Sequence, residues 1–246
     1  WGMGKELLYA REIIVSVTSL LGFWMIGALE VRSILPFWTV PWSQLVKETR
    51  GLWLDTVLEN SFNRISIILI DLFVGNKMTG YFFQAQRLAG VPLQFLNPLV
   101  TRVAAVWFGR TEDRVKRKRG RNKLLIYLGV PLFVLGVFCY LEGAVIIPFL
   151  FGENWLRSGQ ILSLMMGVVI FHCLFEVLKS YCWQARQVRW FLIGRVAQYL
   201  GCGIPLFWFW NGELAGEMAM ALGQSFAYLF GFTIVLLILE RLERNW

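Results

Sequence analysis

Seven long apolar stretches run through this chain, and they constrain its fold more than any other feature of the sequence. Each approaches the roughly 20 residues that an α-helix needs to cross a bilayer. With 57% hydrophobic and only 16% charged residues, the composition does not fit a water-soluble globular domain, in which about a quarter of the residues are charged. The sequence predicts an all-α fold, a polytopic bundle of transmembrane helices, with stretches at 7–29, 52–74, 80–108, 124–151, 160–183, 190–210 and 218–239.

Positive charge is concentrated between the third and fourth stretches. A cytoplasmic loop is our first interpretation, because such loops carry an excess of Lys and Arg, and a patch for phosphate or anionic lipid is the second. The same rule places the C-terminus in the cytoplasm and the N-terminus outside. Since the chain has no initiator Met at position 1, an outside N-terminus predicts further sequence upstream. The segment holds eight basic residues: Arg110, Arg114, Lys116, Arg117, Lys118, Arg119, Arg121 and Lys123.

Cysteine and histidine give little support to an enzyme or a metalloprotein. No two of the four cysteines have the spacing of a metal site, and His172 is the only histidine in the chain. A catalytic triad or a multi-histidine metal centre therefore has at most one position available. We expect no catalytic residue, no metal, no cofactor and no nucleic-acid partner.

Polar residues recur on the second apolar stretch at helical spacing. Ionisable residues inside a membrane span usually face the bundle interior, a partner or water. Both rows could therefore face one aqueous cavity, or a pair such as Arg64 with Asp71 could lock helices together. The first row is Asp55, Glu59 and Asn63, and the second is Asn60, Arg64 and Asp71.

The third stretch carries the strongest polar stripe, and Pro92 and Pro98 are expected to kink the same helix. No acidic residue lies in this stretch, so its arginines need partners on other helices or an anionic ligand. The stripe consists of Gln84, Arg87, Gln94 and Arg102.

Later stretches place further charges on single helix faces. Glu176 and Lys179 have a spacing that suits an ion pair, with His172 on the same face, and Arg195 lies one turn from Gln198. Small residues are also frequent, and we interpret them as sites of close helix packing. The glycines concerned are Gly129, Gly136, Gly216, Gly223 and Gly231.

Three strings carry a family resemblance. They are Asp71-Leu-Phe-Val-Gly75, Gly80-Tyr81-Phe-Phe-Gln-Ala85-Gln-Arg87-Leu88 with Pro92 four residues on, and Phe151-Gly152-Glu-Asn-Trp155. In this order they resemble the polysaccharide-exporter (Wzx-like) flippases of the multidrug/oligosaccharidyl-lipid/polysaccharide, MATE-like superfamily.

The resemblance implies a transporter of two six-helix lobes that opens alternately to each side of the membrane. Residues 1–50 would then be the last helix of the first lobe and a cytoplasmic interfacial linker. Residues 51–246 would be the complete second lobe. The implied location is the bacterial inner membrane.

The implied activity is flipping of undecaprenyl-pyrophosphate-linked oligosaccharide for O-antigen, capsule or exopolysaccharide, with no bond made or broken. The implied partners are this lipid-linked substrate, membrane lipids, a coupling ion (H⁺ or Na⁺) and other polysaccharide-assembly proteins. Inward arginines would complement the pyrophosphate, and buried carboxylates would couple transport to the ion. The candidate substrate-binding residues are Arg64, Arg87, Arg102, Arg195, Asn63, Gln84 and Gln94, and the candidate ion-coupling residues are Asp71 and Glu176.

Three other functions stay open at this level. A drug or small-solute exporter of the same superfamily would use a smaller, more apolar or acidic cavity, which the arginines of the third stretch argue against. A membrane-embedded polymerase or ligase would be expected to carry a sizeable external loop, whereas the predicted external turns are short. A non-transporting scaffold subunit is the third alternative.

Overall fold

The computed structural model describes residues 42–111, 113–212 and 215–244. This part of the chain contains helices and turns but no strand, which confirms the all-α prediction. The predicted first stretch, 7–29, lies outside the described residues. The helices are α1 (Trp42–Phe73), α2 (Asn76–Ala89), α3 (Val91–Arg110), α4 (Arg114–Phe151), a short 3₁₀ helix (Glu153–Trp155), α5 (Leu156–Leu164), α6 (Met166–Gln184), α7 (Val188–Trp210) and α8 (Gly216–Glu243).

Three of the described helices, α4, α6 and α8, are long and apolar enough to cross a membrane. Their most apolar windows differ in burial: 72% of that window is buried in α6 and only 11% in α4. Helix α6 is therefore the central helix of the bundle, while α4 presents most of its surface outward. The larger number of seven spans stays a prediction.

Two of the predicted stretches are each divided into two helices. The stretch 80–108 breaks at Gly90, and Pro92 lies in the first turn of α3. Proline has no N–H to donate and clashes with the preceding turn, so it is tolerated at a helix start and disfavoured inside. Pro98, by contrast, lies within α3 without ending it. The stretch 160–183 breaks at Met165, whose N–H bonds the carbonyls of Ile161 and Leu162.

Two glycines at helix ends need a backbone conformation that other residues rarely adopt. Gly75 follows α1 with a φ of 101°, and Gly152 follows α4 with a φ of 96°. A Cβ at either position would meet no other atom within 4 Å, so backbone conformation explains the glycine and crowding does not. Both are the glycines of the strings that carry the family resemblance.

Two connections between the predicted stretches are largely helical, and the cytoplasmic place of the basic one stays a prediction. The basic segment is largely the first turns of α4, which begins at Arg114. Asp113 caps this helix: its carboxylate accepts hydrogen bonds from the N–H groups of Val115 and Lys116. Lys and Arg are good helix formers, so such a cap is sufficient to start a helix there. The second connection, 152–159, contains the 3₁₀ helix and the start of α5.

The chain divides into two compact units, 1–50 and 51–246. All the contacts given below lie within the second unit. Its apolar core forms three clusters of buried side chains, each with members from α6. The assignment of the two ranges to transporter lobes stays a prediction.

Helices α7 and α8 approach each other at glycines. A Cβ on Gly231 would lie 3.0 Å from the carbonyl oxygen of Gly194, and one on Gly223 would lie 3.0 Å from that of Cys202. A Cβ on Gly136 of α4 would lie 2.6 Å from Ile170 of α6. Close packing is therefore confirmed at these glycines. Gly129 makes only ordinary contact, 3.8 Å from Leu174.

Candidate functional site

Charged side chains from α1, α6 and α7 meet in the interior of the second unit. Each helix supplies them at a spacing that puts its members on one face: four residues apart on α1, and four and then three apart on α6. We call this group the central cluster. It consists of Asp55, Glu59, His172, Glu176, Lys179 and Arg195.

Arg195 binds three carboxylates at once. Its Nε donates to Asp55 Oδ1 at 2.5 Å, and its Nη2 donates to Glu59 Oε2 at 2.7 Å and to Glu176 Oε1 at 3.2 Å. Its Nη1 donates to Gln198 Oε1 at 3.2 Å. The planar guanidinium thus joins three helices through a single residue.

Lys179 contacts the same three carboxylates from the other side. Its Nζ lies 2.7 Å from Asp55 Oδ2, 3.3 Å from Glu59 Oε2 and 3.4 Å from Glu176 Oε2. The predicted pair of Glu176 with Lys179 is therefore confirmed, as part of a larger network.

Part of the cluster is fully buried, whereas Glu59, His172 and Lys179 are partly exposed. Asp55 is 0% exposed and Arg195 is 1% exposed. The Arg195 guanidinium carbon lies 4.9 Å from the ring centre of Phe175 and 5.2 Å from that of Phe191. Buried charges are costly unless they are paired, so this network holds together only while each partner is present.

The cluster can take up one more positive charge. Three carboxylates face two permanent cations, which leaves a formal charge of about −1 when His172 is neutral. Among the described residues, His172 Nε2 has no hydrogen-bond partner, and it lies 3.8 Å from Glu59 Oε1. Glu59, His172 and Glu176 offer ligand atoms that all lie within 4.8 Å of one another. A proton or a small cation fits this place chemically.

The structure brings together two of the residues predicted for the site, Arg195 and Glu176. It surrounds them with four residues that the predicted site omits: Asp55, Glu59, His172 and Lys179. The helical spacing of these residues could have indicated the cluster. Asp55 and Glu59 share one face of α1, and His172, Glu176 and Lys179 share one face of α6.

The other predicted residues lie elsewhere. Asn63 and Gln84 are partly buried, and the side chains of Arg64, Arg87, Gln94, Arg102 and Asp71 are exposed. The two polar rows of α1 are separated, since Asp55 is buried while Arg64 and Asp71 are exposed. The alternative pairing of Arg64 with Asp71 is not formed: the Asp71 carboxylate accepts a hydrogen bond from Thr79 Oγ1 at 3.3 Å.

A second buried network, which we call the basic-end clamp, joins α4, α6 and α8. Arg121 Nη1 donates to both carboxylate oxygens of Glu243, at 3.0 and 2.9 Å, and Arg121 Nη2 donates to Glu240. The Tyr181 hydroxyl also donates to Glu243, and Lys118 Nζ lies 2.8 Å from Glu240 Oε2. Sequence reasoning missed this network, because Arg121 looks like any other charge of the basic segment.

The strings behind the family resemblance contact one another. The Tyr81 ring packs edge-on against Trp155, with centres 5.9 Å apart, and Ser158 Oγ donates to the carbonyl of Tyr81 at 2.8 Å. These residues join α2 to the segment that follows α4. Two of the three strings therefore touch through Tyr81 and Trp155.

Comparison with known proteins decides the family. A family model described as polysaccharide biosynthesis protein matches residues 1–160. The chain belongs to this family. The match includes the three strings and the acidic row of α1, whereas His172, Glu176, Lys179 and Arg195 lie beyond it.

Two curated relatives agree with the family. The chain is 32% identical over 114 residues to the teichuronic acid biosynthesis protein TuaB of Bacillus subtilis, a match that covers 45% of this chain and 23% of that protein. It is 29% identical over 123 residues to the lipopolysaccharide biosynthesis protein WzxC of Escherichia coli, covering 48% and 25%. The chain thus matches about a quarter of the length of each relative. No solved structure matches the chain.

Proposed function

We propose that this polysaccharide biosynthesis protein is part of a flippase. It moves undecaprenyl-pyrophosphate-linked oligosaccharide across the bacterial inner membrane by alternating access, with its C-terminus in the cytoplasm. No bond is made or broken in this process. Family membership and the apolar helices support a membrane role in polysaccharide biosynthesis, and the placement of charge supports transport of an anion.

The observation that carries the proposal is the contrast between buried and exposed charges. Arg64, Arg87 and Arg102 lie on three successive helices, are exposed, and form no ion pair with any described residue. The acidic residues of the central cluster, by contrast, are bound by Lys179 and Arg195. Exposed arginines that form no ion pair are suited to a diphosphate head group.

Each predicted residue keeps a place in this proposal. Arg64, Arg87 and Arg102 contact the head group, and Asn63, Gln84 and Gln94 contact the sugars. Because three carboxylates occupy Arg195, we place it with Glu176 in a coupling role within the central cluster. Asp71 is the second candidate for coupling. The coupling ion is H⁺ or Na⁺, and the remaining partners are membrane lipids and polysaccharide-assembly proteins.

A leaflet assay tests the function. The gene is deleted, the intact reading frame is restored, and lipid-linked oligosaccharide is quantified in each leaflet together with surface polysaccharide. We expect oligosaccharide to accumulate in the inner leaflet and the intact frame to reverse this. If oligosaccharide reaches the outer leaflet normally but stays unpolymerised, a membrane-embedded polymerase or ligase replaces the flippase.

Replacing Arg87 or Arg102 with alanine should reduce surface polysaccharide at least about tenfold. Each substitution removes a charge-assisted contact to the diphosphate. Protein abundance should stay the same, since both side chains are exposed and unpaired. Immunoblotting checks abundance, and Lys77→Ala is the matched control, an exposed cation at the start of α2. Normal export in both arginine variants would remove the head-group assignment.

A further inference from the structure

One basic cavity has no role in the proposed transport path. It lies at the same end of the bundle as the basic segment. Its volume is about 360 Å³, and it lies where the end of α6 meets the starts of α4 and α7. Cavities of roughly 300 Å³ and above are typical of small-molecule sites. The residues used below, Arg114, Arg117, Tyr181, Arg186 and Gln187, all line it.

The described lining of the cavity carries positive charge. Three of the lining residues are arginines, and none of the described lining residues is acidic. The nearest clamp carboxylate, Glu243, is bound by Arg121 and by the Tyr181 hydroxyl. An anion that enters the cavity therefore meets the guanidinium groups of Arg117 and Arg186.

Arg117 is held in place before any ligand arrives. Its Nε and Nη2 both donate to the carbonyl of Thr111, at 3.0 and 2.6 Å. This fork fixes the guanidinium plane at the cavity wall. A fixed guanidinium loses less conformational entropy on binding than a mobile one.

Arg186 occupies a backbone position that normally belongs to glycine. Its φ is 56°, the single positive φ among the described residues that are not glycine. The N–H of Gln187 bonds the carbonyl of Cys182, and the N–H of Arg186 bonds that of Trp183. These two bonds define a Schellman helix end, in which the residue at this position is usually glycine. A strained non-glycine residue at a cavity indicates a function for its side chain.

Gln187 adds an unsatisfied amide. Its Oε1 is buried and has no hydrogen-bond partner in the part of the chain that the structure describes. Rotation of the amide by half a turn exchanges this oxygen for the NH₂ group. The amide therefore lines the cavity with one polar atom that lacks a partner.

We propose that this cavity binds a phosphate group. Two sources share this chemistry: the head group of an anionic membrane lipid and a soluble phosphate compound. Its contacts are the Arg117 Nη1 group, which makes no bond to Thr111, the guanidinium of the strained Arg186 and the Gln187 amide. This site is distinct from the exposed arginines of α1 to α3. The affinity lost when Arg186 or Arg117 is replaced reports on the cavity alone, so its failure is distinguishable from failure of the flippase proposal.

The test uses the purified protein in phosphate-free buffer, with inorganic pyrophosphate as the soluble probe in calorimetric titration. Arg186→Gly removes the charge and also relieves the backbone strain, so the variant should unfold at a temperature at least as high as the wild type. Its affinity for pyrophosphate should fall about tenfold or more. Arg117→Gln should weaken binding similarly. The matched control is Arg189→Ala, an exposed cation three residues from Arg186, which should bind within about twofold of the wild type.

Lipid competition separates the two sources. Micelles containing phosphatidylglycerol should displace pyrophosphate if the natural ligand is a lipid head group, whereas phosphatidylcholine should not. Binding of pyrophosphate that neither lipid displaces identifies a soluble phosphate. The proposal is overturned if the wild type binds neither pyrophosphate nor phosphatidylglycerol, if Arg186→Gly binds as the wild type does, or if Arg189→Ala loses as much affinity.

Discussion

Replacing Arg195 with methionine should lower the free energy of unfolding by about 3–5 kcal/mol, because it leaves buried carboxylates without their main partner. Asp55 would keep only Lys179, and the formal charge of the cluster would become more negative by one. Reversible SDS unfolding of the purified protein in mixed micelles measures the change. Arg195→Lys should also be strongly destabilised, since one ammonium cannot reproduce the fork that reaches Asp55 and Glu59 together.

A second substitution distinguishes lost charge balance from lost packing. Adding Asp55→Asn to Arg195→Met restores the original net charge of the cluster, so the double variant should recover part of the lost stability. Arg189→Met serves as the control, because this arginine lies six residues earlier on α7 and is exposed. It should change stability by about 0.5 kcal/mol or less. If Arg195→Met behaves like Arg189→Met, the buried network does not exist as described.

Replacing Gly231 with leucine should cost about 3 kcal/mol, the upper end for an overpacked interior. A Cβ at Gly231 would lie 3.0 Å from the carbonyl oxygen of Gly194 and 2.7 Å from Cγ of Gln198. The leucine side chain would clash with the backbone of α7 at Gly194. Because backbone cannot rotate away as a side chain can, α7 and α8 must separate. Because Gln198 accepts a hydrogen bond from Arg195, the damage should extend to the central cluster.

Gly203→Leu is the matched control for this prediction. Gly203 lies on α7 with no atom within 4 Å of an added Cβ. Leucine also has a better helix propensity than glycine, so this variant should be neutral or slightly stabilised. Thermal unfolding in detergent, followed by intrinsic tryptophan fluorescence, compares the two variants. Equal melting temperatures for both would show that α7 and α8 are not in backbone contact at Gly231.

Hydropathy was sufficient to predict the helical architecture, because burial in lipid or in a helical bundle requires long apolar runs. It could not place the breaks within those runs. Pro92 marks the break at Gly90, but Pro98 is also a proline and does not end its helix. No proline lies near Met165, and Gly167, two residues on, lies inside α6 as other glycines lie inside helices. Such breaks depend on how neighbouring helices pack, which composition does not report.

Helical spacing predicted which polar residues share a face, but it did not predict which face is buried. Asp55 and Arg64 both lie on α1, one buried and one exposed. Spacing alone cannot distinguish the row of Asp55 from the row of Arg64, because both rows are polar and both repeat at the helical period. The buried row was identifiable only through its partners on α6 and α7, over a hundred residues away along the chain.

The basic-end clamp has a consequence for the order of biosynthesis. Lys and Arg near the ends of a span bias its orientation in the membrane. When α4 is synthesised, Glu240 and Glu243 have not yet been made, so the basic residues of the segment have no partner on α8. Only after α8 is synthesised can Lys118 and Arg121 acquire their carboxylate partners. The same two side chains would thus help to orient the nascent chain first and fasten α8 to α4 afterwards.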